Sequence, residues 1–194
     1  MNRKTSGFIA FAASLLILSA AVQATMMLQM NLEEMTGRAD KIFRGTVINV
    51  QQGTIEAGGA ELPAVTYRFK VEELFKGEAT QVKGDKAVME IRMIGSLVHS
   101  KADENGNMKF SPFRDVPRLD EGGDYLLFTT PESAAGLSVT IGLGQGAFKV
   151  SPVDGADGEY LVVNEFNNAG LGLNGAGPVG YVELSTQIHA LLGQ

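Results

Sequence analysis

From Val65 to Glu72 the chain alternates strictly, with Val65, Tyr67, Phe69 and Val71 apolar and Thr66, Arg68, Lys70 and Glu72 polar. A period of two puts the two sets on opposite faces of a β-strand, so the stretch predicts one face in a core and the other in water. The pattern recurs where Ala87, Met89, Ile91 and Met93 are set against Glu90 and Arg92. Between Lys41 and Gln51, Ile42, Thr46, Ile48 and Val50 share one face while Phe43 and Val47 take the other. That predicts a strand buried on both sides, with Gly45 as a bulge or sharp bend. Residues 53–63, which include Gly58 and Gly59, read as a hairpin loop. Segments 125–129, 137–141, 147–150 and 160–163 complete the expected strands.

Helices are predicted only at the ends. Asn31 followed by Leu32, Glu33 and Glu34 has the form of a helix start, with Asn31 as N-cap, Glu34 reaching back to it and Gly37 as terminator. Leu32 and Met35 form its buried stripe. Residues 184–192 are expected to close the domain as a short amphipathic helix. Residues 170–180 hold five glycines in eleven positions and predict an irregular excursion. The polar stretch 96–123, with Asn105-Gly106, Pro112 and Pro117, predicts a long connection, the kind of loop that often carries function. Because no long helical segments separate the strands, a sandwich or small barrel is favoured over an alternating βα design.

The N-terminal pattern predicts an export signal. Arg3 and Lys4 precede an apolar stretch over 8–22 that ends in Val22-Gln23-Ala24, with small residues at the two deciding positions. The stretch is shorter than the roughly 20 residues a membrane span needs. Cleavage after Ala24 is expected, with residues 25–194 forming a single domain in the periplasm or outside the cell, without a membrane span. Of 16 basic residues, loss of Arg3 and Lys4 leaves 14 against 22 acidic ones, a charge of −8. An acidic chain without clustered Lys and Arg argues against nucleic acid as a partner. With no cysteine, thiol catalysis, thiolate zinc sites and disulfide frameworks are excluded, and a domain of this size can be stable without staples.

No segment has the pattern of a catalytic or cofactor site. Gly142, Gly144 and Gly146 resemble a phosphate-binding loop, but the chain runs on into Ala147-Phe148-Lys149-Val150, a strand rather than the helix such a loop needs, so a turn or bulge is expected. His99 and His189 have no carboxylate or second histidine at helical ligand spacing, so a surface or capping role is expected of each. Asp103, Glu104 and the asparagines 105 and 107, and likewise Asp154, Asp157 and Glu159, group oxygens without a calcium-loop pattern. No serine lies in a Gly-x-Ser-x-Gly elbow. Glu33-Glu34 and Glu72-Glu73 read as solvated pairs. The sequence therefore predicts no enzyme, no cofactor and no metal site.

Four segments in order carry a resemblance: Arg38-Ala-Asp-Lys-Ile-Phe-Arg-Gly-Thr-Val47, Tyr67-Arg-Phe-Lys-Val-Glu-Glu-Leu-Phe-Lys-Gly77, Gly123-Asp-Tyr-Leu-Leu-Phe128 and Gly142-Leu-Gly-Gln-Gly-Ala-Phe-Lys-Val150. Over residues 30–150 the chain resembles a group of poorly characterised bacterial secreted proteins. The strand order also looks like the oligonucleotide/oligosaccharide-binding (OB) barrel of netrin-like modules and tissue inhibitors of metalloproteinases. The resemblance implies a mainly β fold: a small OB-like barrel, closed or partly open, with short N- and C-terminal helices. It further implies an exported protein that binds another protein, such as a zinc protease, through a ridge near the mature N-terminus. The chain departs from those inhibitors where they use an N-terminal cysteine, for Thr25 stands there. A free Thr25 amine can in principle ligate a metal, and Met26 and Met27 suit an adaptable specificity pocket. The plainer reading of the same residues is a flexible or packed end.

The leading functional expectation is a non-enzymatic binding module with a protein partner, its sharpest form an inhibitor of an exported metalloprotease acting through Thr25, Met26 and Met27. The alternative is a small-ligand or glycan binder using the barrel face and the 96–123 connection, where Phe110, Phe113, Arg114 and Arg118 offer stacking and charge. A hydrolase with an unrecognised site is the third reading.

Overall fold

A computed structural model describes residues 28–83, 86–97, 116–173 and 175–194. The expected signal peptide, Thr25, Met26, Met27, His99, the 103–107 oxygens, Phe110, Phe113 and Arg114 lie outside the described residues. No described helix is long and apolar enough to cross a membrane.

The first helix, α1 (Leu32–Arg38), opens with the expected capping box: Glu34 N donates to Asn31 Oδ1 at 2.8 Å, and the Glu34 carboxylate accepts from Asn31 N at 3.3 Å. Leu32 and Met35 are buried, as their spacing predicts. Gly37, expected to stop the helix, lies inside it. The stop comes at Ala39, which is buried and extended, while Asp40 N donates to Thr129 O and commits the chain to the sheet.

The next two strands, β1 (Lys41–Ala57) and β2 (Ala60–Lys76), form one antiparallel hairpin. The loop expected over 53–63 is strand instead, because pairing continues from Gly53↔Ala64 to Ala57↔Ala60. Gly58 and Gly59, both at positive φ, make the whole reversal, the conformation a two-residue turn needs to match strand twist. Near its start β1 is bent by register shifts at Ile42/Phe43, Arg44/Gly45 and Val47/Asn49. Gly45 makes the bend possible: a Cβ there would stand 2.7 Å from Lys70 O. On β2, Val65, Tyr67 and Phe69 are buried and Thr66, Arg68 and Lys70 lie on the wetter face, as the alternation predicts.

The remaining strands are β3 (Gln81–Lys83), β4 (Lys86–Ile94), β5 (Asp124–Thr129), β6 (Ala147–Pro152), β7 (Tyr160–Asn164) and β8 (Val179–Gly180). All pair antiparallel in one sheet of order β3-β4-β2-β1-β5-β6-β7-β8, with β3 and β8 at its open edges. A strand expected over 137–141 is reduced to a single bridge, Thr129↔Thr140. The backbone of this segment bonds to scattered partners in place of a ladder, Ser138 N donating to Arg92 O, Ile141 N to Phe128 O, and Val139 O accepting from Thr130 N, while Ser138 Oγ donates to Thr130 O at 2.7 Å and Thr140 Oγ1 to Leu143 O at 2.6 Å. The three-glycine segment forms one 3₁₀ turn (Leu143–Gly146) leading directly into β6, in line with the expected turn. The closing helix, α2 (Tyr181–Leu192), starts three residues before its predicted position and ends at Gly193 in the left-handed region.

The bent sheet serves two hydrophobic cores. One gathers Phe43, Val47, Val65, Tyr67, Phe69, Met89, Ile91, Met93, Tyr125 and Leu127. The other lies under the helices and joins Met30, Leu32, Met35, Ile42, Leu126, Phe128, Phe148, Leu184 and Ile188. Central β5 feeds both through its alternation, which is why its run Tyr-Leu-Leu-Phe is apolar throughout.

Candidate functional site

The glycines of the 3₁₀ turn make room for other groups. A Cβ on Gly146 would stand 2.6 Å from Ile141 O, and one on Gly144 would collide with the Glu165 carboxylate. Between these tight approaches Gln145 is turned inward and is 3% exposed. Its carboxamide grips the chain just before α1: Oε1 accepts from Met30 N at 2.9 Å, and Nε2 donates to Leu28 O at 3.0 Å. The two ends of one planar amide thus fix two backbone groups of one extended segment, while Met30 enters the core and Leu28 stays 74% exposed. Gln145 is itself held from behind, since Asn164 Nδ2 donates to its carbonyl at 2.9 Å. Asn164 Oδ1 accepts from the Phe166 and Asn168 amides, and Asn168 Nδ2 donates to Val162 O and Gly177 O. This buried asparagine pair fixes the path of the glycine-rich segment.

The anchored segment runs into a groove. Asn31, Leu32 and Glu33 of the α1 start, Leu171 and Gly172, and Gln187, Ala190 and Leu191 of α2 enclose about 400 Å³. Leu32 N donates to Leu171 O at 3.0 Å, which ties α1 to the glycine-rich segment along the floor. Leu191 is 43% exposed, so the groove presents apolar surface.

A charged network pins α2 to the sheet. Arg44 forks onto Asp124, with Nη2 2.7 Å and Nε 3.0 Å from Oδ2. Its guanidinium also lies 4.2 Å from the Tyr160 ring centroid and 4.3 Å from that of Tyr181, a cation between two aromatic faces. The Tyr181 hydroxyl donates to Glu73 Oε2. Burial, then the Glu73 carboxylate, push the Tyr181 pKa far above its ordinary value. The other Glu73 oxygen meets His189 Nε2 at 3.1 Å, while His189 Nδ1 meets Gln194 Oε1 at 3.0 Å. Those two hydrogen bonds, Glu73 first, raise the His189 pKa. Glu73, read from sequence as a solvated carboxylate, is instead the half-buried acceptor that joins β2 to α2. His189 has a structural partner on β2, beyond the surface or capping role expected of it.

Of the residues expected from sequence to bind a partner or ligand, Arg118 lies among the described ones. It borders a groove of about 290 Å³ with Asp120, Tyr125, Lys149 and Glu165. Asp154, Asp157 and Glu159 surround the β6–β7 turn, and no cluster of three or more His, Asp or Glu able to hold a metal occurs among the described residues. Gln145, Asn164 and Asn168 carried no signal beyond their place in turn-like sequence. No protein-family model matches the chain, and no curated protein matches it.

Proposed function

We propose that this is an exported, non-enzymatic binding module on an OB-like β fold, acting in the periplasm or outside the cell through a protein partner. The observation that carries the reading is the Gln145 clamp. A buried carboxamide uses both its hydrogen bonds to hold residues 28–30, which orders the segment just after the expected cleavage site. If cleavage falls after Ala24, the clamp grips Leu28 and Met30, directly after Thr25, Met26 and Met27 in sequence and just ahead of the groove-lining Asn31. A pre-ordered segment of this kind loses less entropy on docking than a free tail. In its sharpest form the partner is an exported metalloprotease engaged by those three residues.

The test is affinity capture from periplasmic and culture fractions, with protein beginning at Thr25 as bait and protein beginning at Met30 as control. Recovery of a metalloprotease by the longer form alone supports the inhibitor reading and leads to inhibition kinetics. Recovery of the same proteins by both forms refutes an N-terminal binding ridge. A second reading, a small-ligand or glycan binder, is favoured by the groove that Arg118 shares with Lys149 and Asp120. A hydrolase predicts turnover on broad substrate panels, which neither binding reading does.

A further inference from the structure

The wetter face of β1, β2 and β4 carries an ordered polar grid. Cross-strand pairing sets Asn49 beside Arg68 and Arg68 beside Glu90, and in the next row Gln51 beside Thr66 and Thr66 beside Arg92. With strands about 5 Å apart and same-face residues about 7 Å apart, the six side chains cover roughly 10 Å by 7 Å. They line a concavity of about 310 Å³ in which Ala64 is the one apolar lining residue. None of the six belongs to the helix groove or to the Arg118 groove.

Two features set this face apart from an ordinary solvated strand surface. It places two arginines on a chain whose net charge is −6. One of them is also incompletely satisfied: Arg68 Nε is sealed from solvent and makes no hydrogen bond, its closest anionic neighbour being Glu90 Oε2 at 3.7 Å. The Arg68 side chain is nevertheless 41% exposed, so its open area lies away from Nε. What this face offers a ligand is that open part of the guanidinium, while Nε faces Glu90. Arg92 is oriented by a 3.3 Å bond from its Nε to Thr66 Oγ1.

We propose that this face binds a saccharide bearing carboxylates, of the uronic-acid class. The two guanidiniums, on diagonal positions, supply forked donors for a carboxylate. Asn49, Gln51 and Thr66 offer both donors and acceptors, which suits vicinal hydroxyls, and Glu90 accepts from hydroxyls. The same Glu90 disfavours a dense polyanion such as nucleic acid, and the scarcity of apolar lining disfavours lipid or an apolar peptide. The grid matches the footprint of about two sugar rings.

The test is calorimetric titration of protein beginning at Thr25 with galacturonate oligomers of four to six units, against neutral glucose oligomers of equal length. The acidic oligomer is expected to bind at least about tenfold more tightly. Arg68→Gln and Arg92→Gln are each expected to weaken it about tenfold without altering the melting temperature, and Glu90→Gln to strengthen it. No measurable binding, equal affinity for the neutral oligomer, or loss of binding on Arg118→Gln but not on Arg68→Gln and Arg92→Gln would each overturn the proposal. Failure here leaves the N-terminal reading untouched, because the capture experiment depends on none of these residues.

Discussion

Replacing Gln145 with Leu keeps approximate volume and removes both hydrogen bonds to the N-terminal segment. The two losses are unequal. Leu28 O belongs to an exposed residue and can turn to water, whereas Met30 N lies in a residue 7% exposed and is stranded, at a cost of about 1–3 kcal/mol. Residues 28–30 can escape by peeling away, which exposes the Met30 side chain and forfeits about 1.5–3 kcal/mol of burial. Since the two costs are comparable, a total near 2 kcal/mol is expected, expressed partly as local detachment. Hydrogen exchange read by mass spectrometry should show the Met30 amide about 30-fold less protected, the equivalent of that energy. Gln145→Glu separates geometry from volume. A neutral carboxylic acid can donate to Leu28 O and accept from Met30 N as the amide does, but a carboxylate cannot donate. Protection in this variant should approach the parent at pH 4 and fall between the parent and the Leu variant at pH 7.5, where the carboxylate still accepts from Met30 N but faces Leu28 O without a proton. Unchanged exchange at Met30 in both variants would show that something other than the clamp holds the segment, and the functional argument from pre-ordering would fall with it.

Arg44→Met should be strongly disruptive on the α2 side of the sheet, the Arg44 side chain being 12% exposed. It leaves Asp124, 22% exposed at its side chain, without its ion-pair partner, and removes a cation from between two rings. A loss of about 2–4 kcal/mol in urea unfolding is expected, below the full cost of breaking a buried pair because Asp124 keeps some water. Adding Asp124→Asn should recover part of it, and a loss under about 1 kcal/mol would refute the pinning role. The contact between His189 and Glu73 predicts a pH dependence of definite sign. With the folded His189 pKa raised above its unfolded value by Glu73 and Gln194, its contribution is complete below about pH 6.5. It is lost as pH rises through the folded pKa. Melting temperature should therefore decline from pH 6 to pH 8 more in the parent than in His189→Gln, and equal slopes would exclude the pair as a titrating contact.

The legible parts of the fold were those written in neighbouring residues. The Asn31 to Glu34 capping box, the faces of β2 and β4, the bend at Gly45 and the turn ahead of β6 each follow from local spacing, and the structure carries them all. Errors arose where a local signal had two outcomes. Gly53 and Pro63 read as loop residues, yet the two-glycine reversal at Gly58 and Gly59 completes the hairpin alone and leaves both in register as strand. Residues 137–141 have strand composition, but hydroxyl groups of Ser138 and Thr140 bind nearby carbonyls, and a single bridge is all the ladder that forms.

The elements of the candidate site were hidden for a different reason: their partners are far apart in the chain. Glu73 and His189 are separated by 116 residues, and Gln145 stands 115 residues from Met30. No periodicity joins such pairs. Gln145 was further masked by its glycines, which read as a turn or bulge and gave no hint that they let backbone, Glu165 and Met30 close around one amide. A polar side chain enclosed by glycines in a strand-adjacent turn is therefore a candidate for internal anchoring before it is a candidate for phosphate. Here that distinction moves attention from the turn to the segment it grips: residues 28–30 are held by a buried carboxamide, and Asn31, the next residue, already lines the α1–α2 groove.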